Sequence, residues 1–97
     1  MIQIYVKLGV KDFNCFEEFE RQAVSLMKKY QGKVITAFET VRHADGTGEE
    51  IHILEFPSES EFAEYRQDGD LAKLTALREQ AVSATEVKVS LRTKSYG

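Results

Sequence analysis

With 97 residues the chain is read as one domain, 1–97, whose core is modest enough that pairing with a second copy would add stability. A net charge of -3, with 42% hydrophobic and 30% charged residues, describes an ordinary globular composition without the basic field that non-specific nucleic-acid or anionic-membrane binding requires. No stretch reaches the ~18 apolar residues of a membrane span and the N-terminus lacks a signal-peptide pattern, so the expected setting is cytoplasmic, with no membrane partner.

The chain opens on strict alternation. Ile2, Ile4, Val6, Leu8 and Val10 fall on one face, and Gln3, Tyr5, Lys7 and Gly9 on the other, which is the pattern of a half-buried strand. Asp12 or Asn14 can cap the helix that follows, where Phe16, Phe19, Ala23, Leu26, Met27 and Tyr30 recur at helical spacing. Lys28 and Lys29 suit the negative end of the helix dipole, and Gly32 is placed to end it. Cys15, the one cysteine, excludes an internal disulfide, and its neighbours Phe13, Phe16 and Phe19 mark it as a packed thiol rather than a nucleophile.

Lys33 to Val41 is rich in β-branched and aromatic residues and reads as a second strand, but both of its faces are mixed, so neither can be assigned to solvent. Arg42 to Gly48 carries Asp45-Gly46, a favoured turn pair, and leads as a hairpin into the strand Ile51–Phe56. The glycines there do not form a phosphate loop: no Lys-Ser/Thr follows and no helix opens. Pro57 stops the strand, Ser58 caps the next helix, and Glu61 completes a Ser-x-x-Glu capping box. That helix carries Phe62 and Tyr65 and is interrupted at Gln67-Asp68-Gly69-Asp70. Asp68 or Asp70 can cap a further helix with the stripe Leu71, Leu74, Leu77 and Ala81, beside which Arg78 should be half-buried. The last strand sets Val87, Val89 and Leu91 against Glu86, Lys88, Ser90 and Arg92, and Thr93 to Gly97 forms a short tail.

The element order is β-α-β-β-α-β with the second helical region broken in two. It predicts an α+β, ferredoxin-like domain: a four-stranded antiparallel sheet with helices on one face. The other face is left bare, and two such faces packed together would enclose a partly polar inter-sheet cavity.

The runs Lys29-Tyr30-Gln31-Gly32-Lys33, Glu55-Phe56-Pro57-Ser58 and Leu77-Arg78 before Ala81 resemble the domain-of-unknown-function 1330 family, a branch of the dimeric α/β-barrel superfamily. The resemblance implies the same ferredoxin-like fold, homodimers whose two sheets form a barrel, and no particular reaction. The chain departs from the family pattern at Gln31, where a second glycine is usual, and at Leu71, where an aromatic is common. The wider superfamily includes haem-degrading monooxygenases, cofactor-independent quinone-forming monooxygenases and lactone isomerases. The Asn, Trp and His set of the haem-degrading enzymes cannot be assembled here, since the chain has no Trp.

The candidates for a catalytic role are Glu55, His52, Tyr5 and Arg78, and those for binding a ligand are Tyr5, Lys7, Glu39 and Glu55. His52 carries an imidazole, a side chain suited to acid/base work, against the alternative of a cross-strand histidine at a sheet surface. Strand phase separates it from Glu55, which should point to the other side of the sheet. Glu55 would meet Lys7, Tyr5 or Arg92 on the cavity side, or need Arg78 on the helix side, because a lone buried carboxylate is too costly. His43, near the turn, is read as solvated. No metal is expected, since His43, His52 and Cys15 share no metal-site spacing, and no cofactor is expected either. Two readings remain open: a homodimer, paired through its sheet faces, that binds a small metabolite or merely completes its core; and a small-molecule enzyme of monooxygenase or isomerase type.

Overall fold

A computed structural model describes residues 1–97. The elements are β1 (Ile2–Val10), α1 (Phe13–Met27) closed by a 3-10 turn (Lys28–Tyr30), β2 (Lys33–Arg42), β3 (Gly48–Phe56), α2 (Glu59–Arg66), α3 (Gly69–Ala72), α4 (Thr75–Ala81) and β4 (Val82–Val89). The strands form one antiparallel sheet in the order β2-β3-β1-β4, as the ferredoxin-like plan requires. The second helical region breaks into three pieces rather than two.

Local chemistry explains most boundaries. Asp12, not Asn14, caps α1: its Oδ1 accepts from the backbone N–H of Asn14 at 2.8 Å and Cys15 at 3.1 Å. Ser58 accepts from the Ser60 N–H and donates its hydroxyl to Glu61, giving the expected start of α2. Asp68 caps α3 through the N–H groups of Asp70 and Leu71. The turn after β2 closes on Gly46, at φ 91°, with Asp45 accepting from the Thr47 N–H.

The helical segment ends just before Gly32, but the left-handed residue of the turn is not the glycine. Gln31 takes that conformation, at φ 61°, a strain of roughly 1–2 kcal/mol for a residue with a Cβ. Gly32 is needed for closeness instead: a Cβ there would lie 2.3 Å from the ring of Phe56, which is fully buried and has nowhere to move.

The inward face of β1 (Ile4, Val6, Leu8 and Val10) meets Phe13, Phe16, Phe19, Ala23 and Met27 of α1, and Leu54 and Phe56 of β3 extend the same core. The tilted stack of Phe56 with Phe62 and Tyr65 pins α2 to the sheet. Cys15 is half-buried against this core as a free thiol. The Cα envelope measures 39 × 36 × 17 Å, and the short axis is what one sheet and one helical layer give. The second face of the sheet is therefore uncovered. β4 ends at Val89, earlier than the alternation suggested, so that Leu91 is 99% exposed and Arg92 lies beyond the sheet. No helix is long and apolar enough to cross a membrane.

Candidate functional site

The strand register sorts the predicted residues onto two faces. Tyr5 pairs with Ile53 and Lys88, Lys7 with Ile51 and Glu86, and Gln3 with Glu55, so Tyr5, Lys7 and Glu55 share the uncovered face, the first of the two placements open to Glu55. Glu55 meets none of the partners anticipated for it. Its carboxylate lies 3.5 Å from the ammonium of Lys33, the residue opposite it on β2. Lys7 pairs with Glu49 at 3.4 Å and Lys88 with Glu86 at 3.3 Å, while the Lys88 ammonium sits 5.9 Å above the Tyr5 ring.

Glu39 does not join this group. The register shift between Val34 and Thr36 sets it opposite Glu50, on the helical side, where its carboxylate accepts from the Arg42 guanidinium at 2.9 and 3.1 Å. That guanidinium in turn stacks 3.8 Å from the centre of the Phe13 ring. The Arg42 contact holds the Glu39 carboxyl below its ordinary range.

His52 lies on the face opposite Glu55, as strand phase required, but it is not at an open sheet surface. It is 5% exposed beneath α1, with the edge of Phe16 against its ring. Its Nε2 is 2.8 Å from Glu50 and its Nδ1 3.5 Å from Glu20, and both carboxylate side chains are only 18% exposed. His43, by contrast, is exposed.

Glu20 and His52 of this cluster line a cavity of about 460 Å³ between the sheet and the helices. Its sides are mainly apolar, from Val6, Leu8, Phe19, Met27, Leu54 and Val87 among others, and Glu20, His52, Arg66 and Arg78 are among its polar groups, with Thr75 and Thr85. Arg78, expected half-buried, is exposed at the mouth, where it donates to Thr85 Oγ1 at 2.6 Å. The roof is held by Asp68. Tyr30 donates its hydroxyl to that carboxylate and Lys29 lies 3.3 Å away, tying the end of α1 to α3, which carries Leu71 and Ala72 over the cavity. The Tyr30 hydroxyl and these donors hold the Asp68 carboxyl down to about 2.

Burial has the opposite effect on Glu20. Loss of water pushes its carboxyl above the ordinary 4.5; His52 opposes the shift, Glu50 adds to it and Arg78 opposes it. The buried phenol of Tyr65 is likewise raised, first by burial and then by Glu20, and donates to the Ala23 carbonyl at 3.2 Å. A carboxyl that holds its proton more tightly, a histidine between two carboxylates and a cation at the mouth are the parts of an acid/base pocket. No group of three or more His, Cys, Asp or Glu side chains is arranged to hold a metal ion.

Glu20 and Glu50 are absent from the sequence-derived candidates. The signal for Glu20 is its place four residues after Phe16 and three before Ala23, which sets a carboxylate within the apolar stripe of α1. The signal for Glu50 is its two-residue spacing from His52, once β3 is known to begin at Gly48 rather than Ile51.

Fold and site together define a ferredoxin-like α+β domain with an intramolecular pocket on its helical face. Residues 4–90 match the family described as domain of unknown function DUF1330, and the chain belongs to that family. No curated protein matches the chain. Among solved structures, it is similar to RPA0582 from Rhodopseudomonas palustris, a protein of unknown function (TM-score 0.75, 16% identity, covering 97% of this chain and 84% of that one). It is also similar to Atu4242 from Agrobacterium tumefaciens (TM-score 0.71, 16% identity, 97% and 95%). SnoaB from Streptomyces nogalater, a cofactor-independent oxygenase, superposes with a TM-score of 0.68 at 8% identity over 97% of this chain and 94% of that one. At these identities the likeness is one of fold.

Proposed function

We propose that the protein is a homodimer, paired through the uncovered sheet face, whose chains each bind a small, largely apolar carboxylic acid in the cavity between sheet and helices. The observation that carries the reading is the cavity itself. Its volume of about 460 Å³ lies in the range of metabolite pockets, its walls are mainly apolar, and Arg66 and Arg78 stand where an anionic end would enter. An uncharged apolar guest would leave those cations unused, and a strongly polar one would not repay the loss of its hydration.

Support for pairing comes from the bare face. Phe38 and Val41 of β2 are 50% and 38% exposed, and they lie opposite Ile51 and Glu49 of β3. The charged residues around them are already matched within the face, so a second copy could cover the apolar strip without stranding a charge. The family resemblance favours the same pairing. The ligand site, however, falls on the helical side of each chain rather than between the sheets.

Titration calorimetry with 1-naphthoate tests the site. One molecule should bind per chain, Arg78→Ala should weaken binding at least ~10-fold, the worth of a charge-assisted contact, and Ala72→Trp at the exposed mouth should abolish it. If a series of aryl and alkyl carboxylates shows no binding, or if the Ala72→Trp protein binds as the wild type does, the site assignment is wrong.

A further inference from the structure

The cavity is one of two spaces that share a wall. On the other side of α1 an open groove of about 590 Å³ runs between that helix and β2, lined by Glu17, Arg21, Lys28, Val34 and Ala37 among others. Glu20 and His52 border both spaces, whereas Glu50 borders the groove alone. The carboxylate of Glu20, the two ring nitrogens of His52 and the carboxylate of Glu50 thus form a continuous line from the cavity to the groove, with separations of 3.5 and 2.8 Å.

A purely structural ion cluster does not need this arrangement. His52 is buried, and a single carboxylate would have satisfied one ring nitrogen while a backbone carbonyl served the other. Two carboxylates, one on each side of the ring, instead allow either ring nitrogen to carry the proton. The neutral ring accepts a proton at Nδ1 from Glu20 and releases one from Nε2 to Glu50. The longer of the two separations is of the kind that shortens when a substrate closes the site.

We propose that Glu20, His52 and Glu50 are a proton relay, and that the cavity catalyses removal and return of a proton at the carbon beside the carbonyl of an apolar 2-oxo acid. The inference rests on the ligand reading above and extends it to chemistry. With the substrate carboxylate at the Arg78 end, the apolar tail fills the Phe19, Met27 and Leu54 walls. Glu20 is the catalytic base: the C–H bond breaks, its proton passes to the Glu20 carboxylate, and the electron pair moves into the carbonyl as an enolate. A proton, or in D₂O a deuteron, taken up from groove water by the same relay in reverse reaches Glu20 and is delivered to the enolate at carbon or oxygen. This completes an exchange or a tautomerisation, so electrons balance within the substrate and no oxidant is needed. His52 is a positioning and relay residue. It returns Glu20 to its ionised form by sending the proton through Glu50 to water in the groove.

The charged and titratable groups around the relay are Arg78 from α4 and Tyr65 and Arg66 from α2 on the cavity side, and Glu17 and Arg21 from α1 and Lys28 from the 3-10 turn in the groove, with Arg42 of β2 near Glu50. The pH profile of the exchange belongs to this whole set.

The test is proton NMR of phenylpyruvate and 2-oxooctanoate in D₂O with the full-length protein, following loss of the C3 hydrogen signals, alongside calorimetry with 1-naphthoate on every variant. Wild type should accelerate exchange over buffer. Glu20→Gln should lose on the order of 100-fold or more of that acceleration, the usual share of a general base, and still bind naphthoate. His52→Asn should lose activity with a changed pH profile and recover part of it when imidazole is added, which a merely structural histidine would not show. Glu50→Gln should slow exchange while leaving naphthoate affinity unchanged. Naphthoate binding without any acceleration of either 2-oxo acid, or a Glu20→Gln protein that exchanges as fast as wild type, overturns the relay and leaves the binding reading standing. Failure of naphthoate to bind overturns both.

Discussion

Lys7 and Glu49 lie 3.4 Å apart on one side of the sheet; His52 and Glu50 lie 2.8 Å apart on the other. The first pair is 43% and 30% exposed in its side chains and the second 6% and 18%. By geometry they are similar contacts, but their surroundings give them different consequences. An exposed pair is worth at most about 1 kcal/mol and is screened by salt. A desolvated one is costly to assemble and costlier to break, because removing either partner strands a buried charge. The uncovered face therefore carries its charges as a self-neutralised frame around an apolar strip. The helical face buries a few polar groups in an apolar wall, where their chemistry is altered. One sheet thus presents the face proposed for pairing on one side and a wall of the proposed ligand site on the other.

The contrast is broken most severely from the helical side. Phe56→Ala removes a fully buried ring that packs on Phe62 and Tyr65 and against which Gly32 is fitted. A loss of about 3–5 kcal/mol in unfolding free energy is expected from chemical denaturation. A loss under ~1 kcal/mol would mean that the core of this face can collapse around the void, contrary to its close packing. On the uncovered face, Phe38→Glu should leave each chain folded, since the ring is already 50% exposed. It should weaken the proposed dimer on the order of 100-fold, as loss of an interface anchor does. Sedimentation velocity reads this directly, and an unchanged sedimentation coefficient at dimer concentrations would show that the strip is not where the copies meet.

These two faces were not equally legible in the sequence. The five-fold alternation of β1 and the aromatic stripe of α1 define the covered face, because burial on one side only leaves a period in the chain. The capping acid of α1 and the Ser58 start of α2 are local chemistry and were equally readable. The phase of β2 was not. Its register shifts between Val34 and Thr36 and again between Glu39 and Val41, and each bulge turns later side chains relative to earlier ones. The first shift is why Glu39, grouped with Tyr5, Lys7 and Glu55 as a ligand candidate, lies on the other face of the sheet from them. The start of β4 was hidden because α4 passes into it at Val82 without a turn. Gln31 and Glu20 escaped for a shared reason: each holds a position that local rules assign to another residue type, a glycine in one case and an apolar side chain in the other. Such violations are where function or strain concentrates, and in α1 the violation faces the cavity.

The finest distinction between the faces concerns the sign of a titration. Glu20 has its carboxyl raised by burial, so the folded chain holds that proton more tightly than the unfolded chain does. Its contribution to stability is complete below the unfolded value near 4.5 and is lost as pH rises through the higher folded value. Glu49, across the sheet, is lowered chiefly by the Thr40 hydroxyl and further by Lys7. Its contribution is present above 4.5 and is lost as pH falls through the depressed folded value. The two charge-removing substitutions should therefore act with opposite slopes. Relative to wild type, Glu20→Gln should gain stability as pH is raised from 4 to 8. Glu49→Gln should lose a smaller amount over the same approach to neutrality, with its deficit vanishing toward acid. Urea midpoints at closely spaced pH values measure both. Slopes of the same sign would show that Glu20 is solvated or firmly paired in solution, and the distinction between a desolvated wall and a hydrated frame would then fail at its most reactive residue.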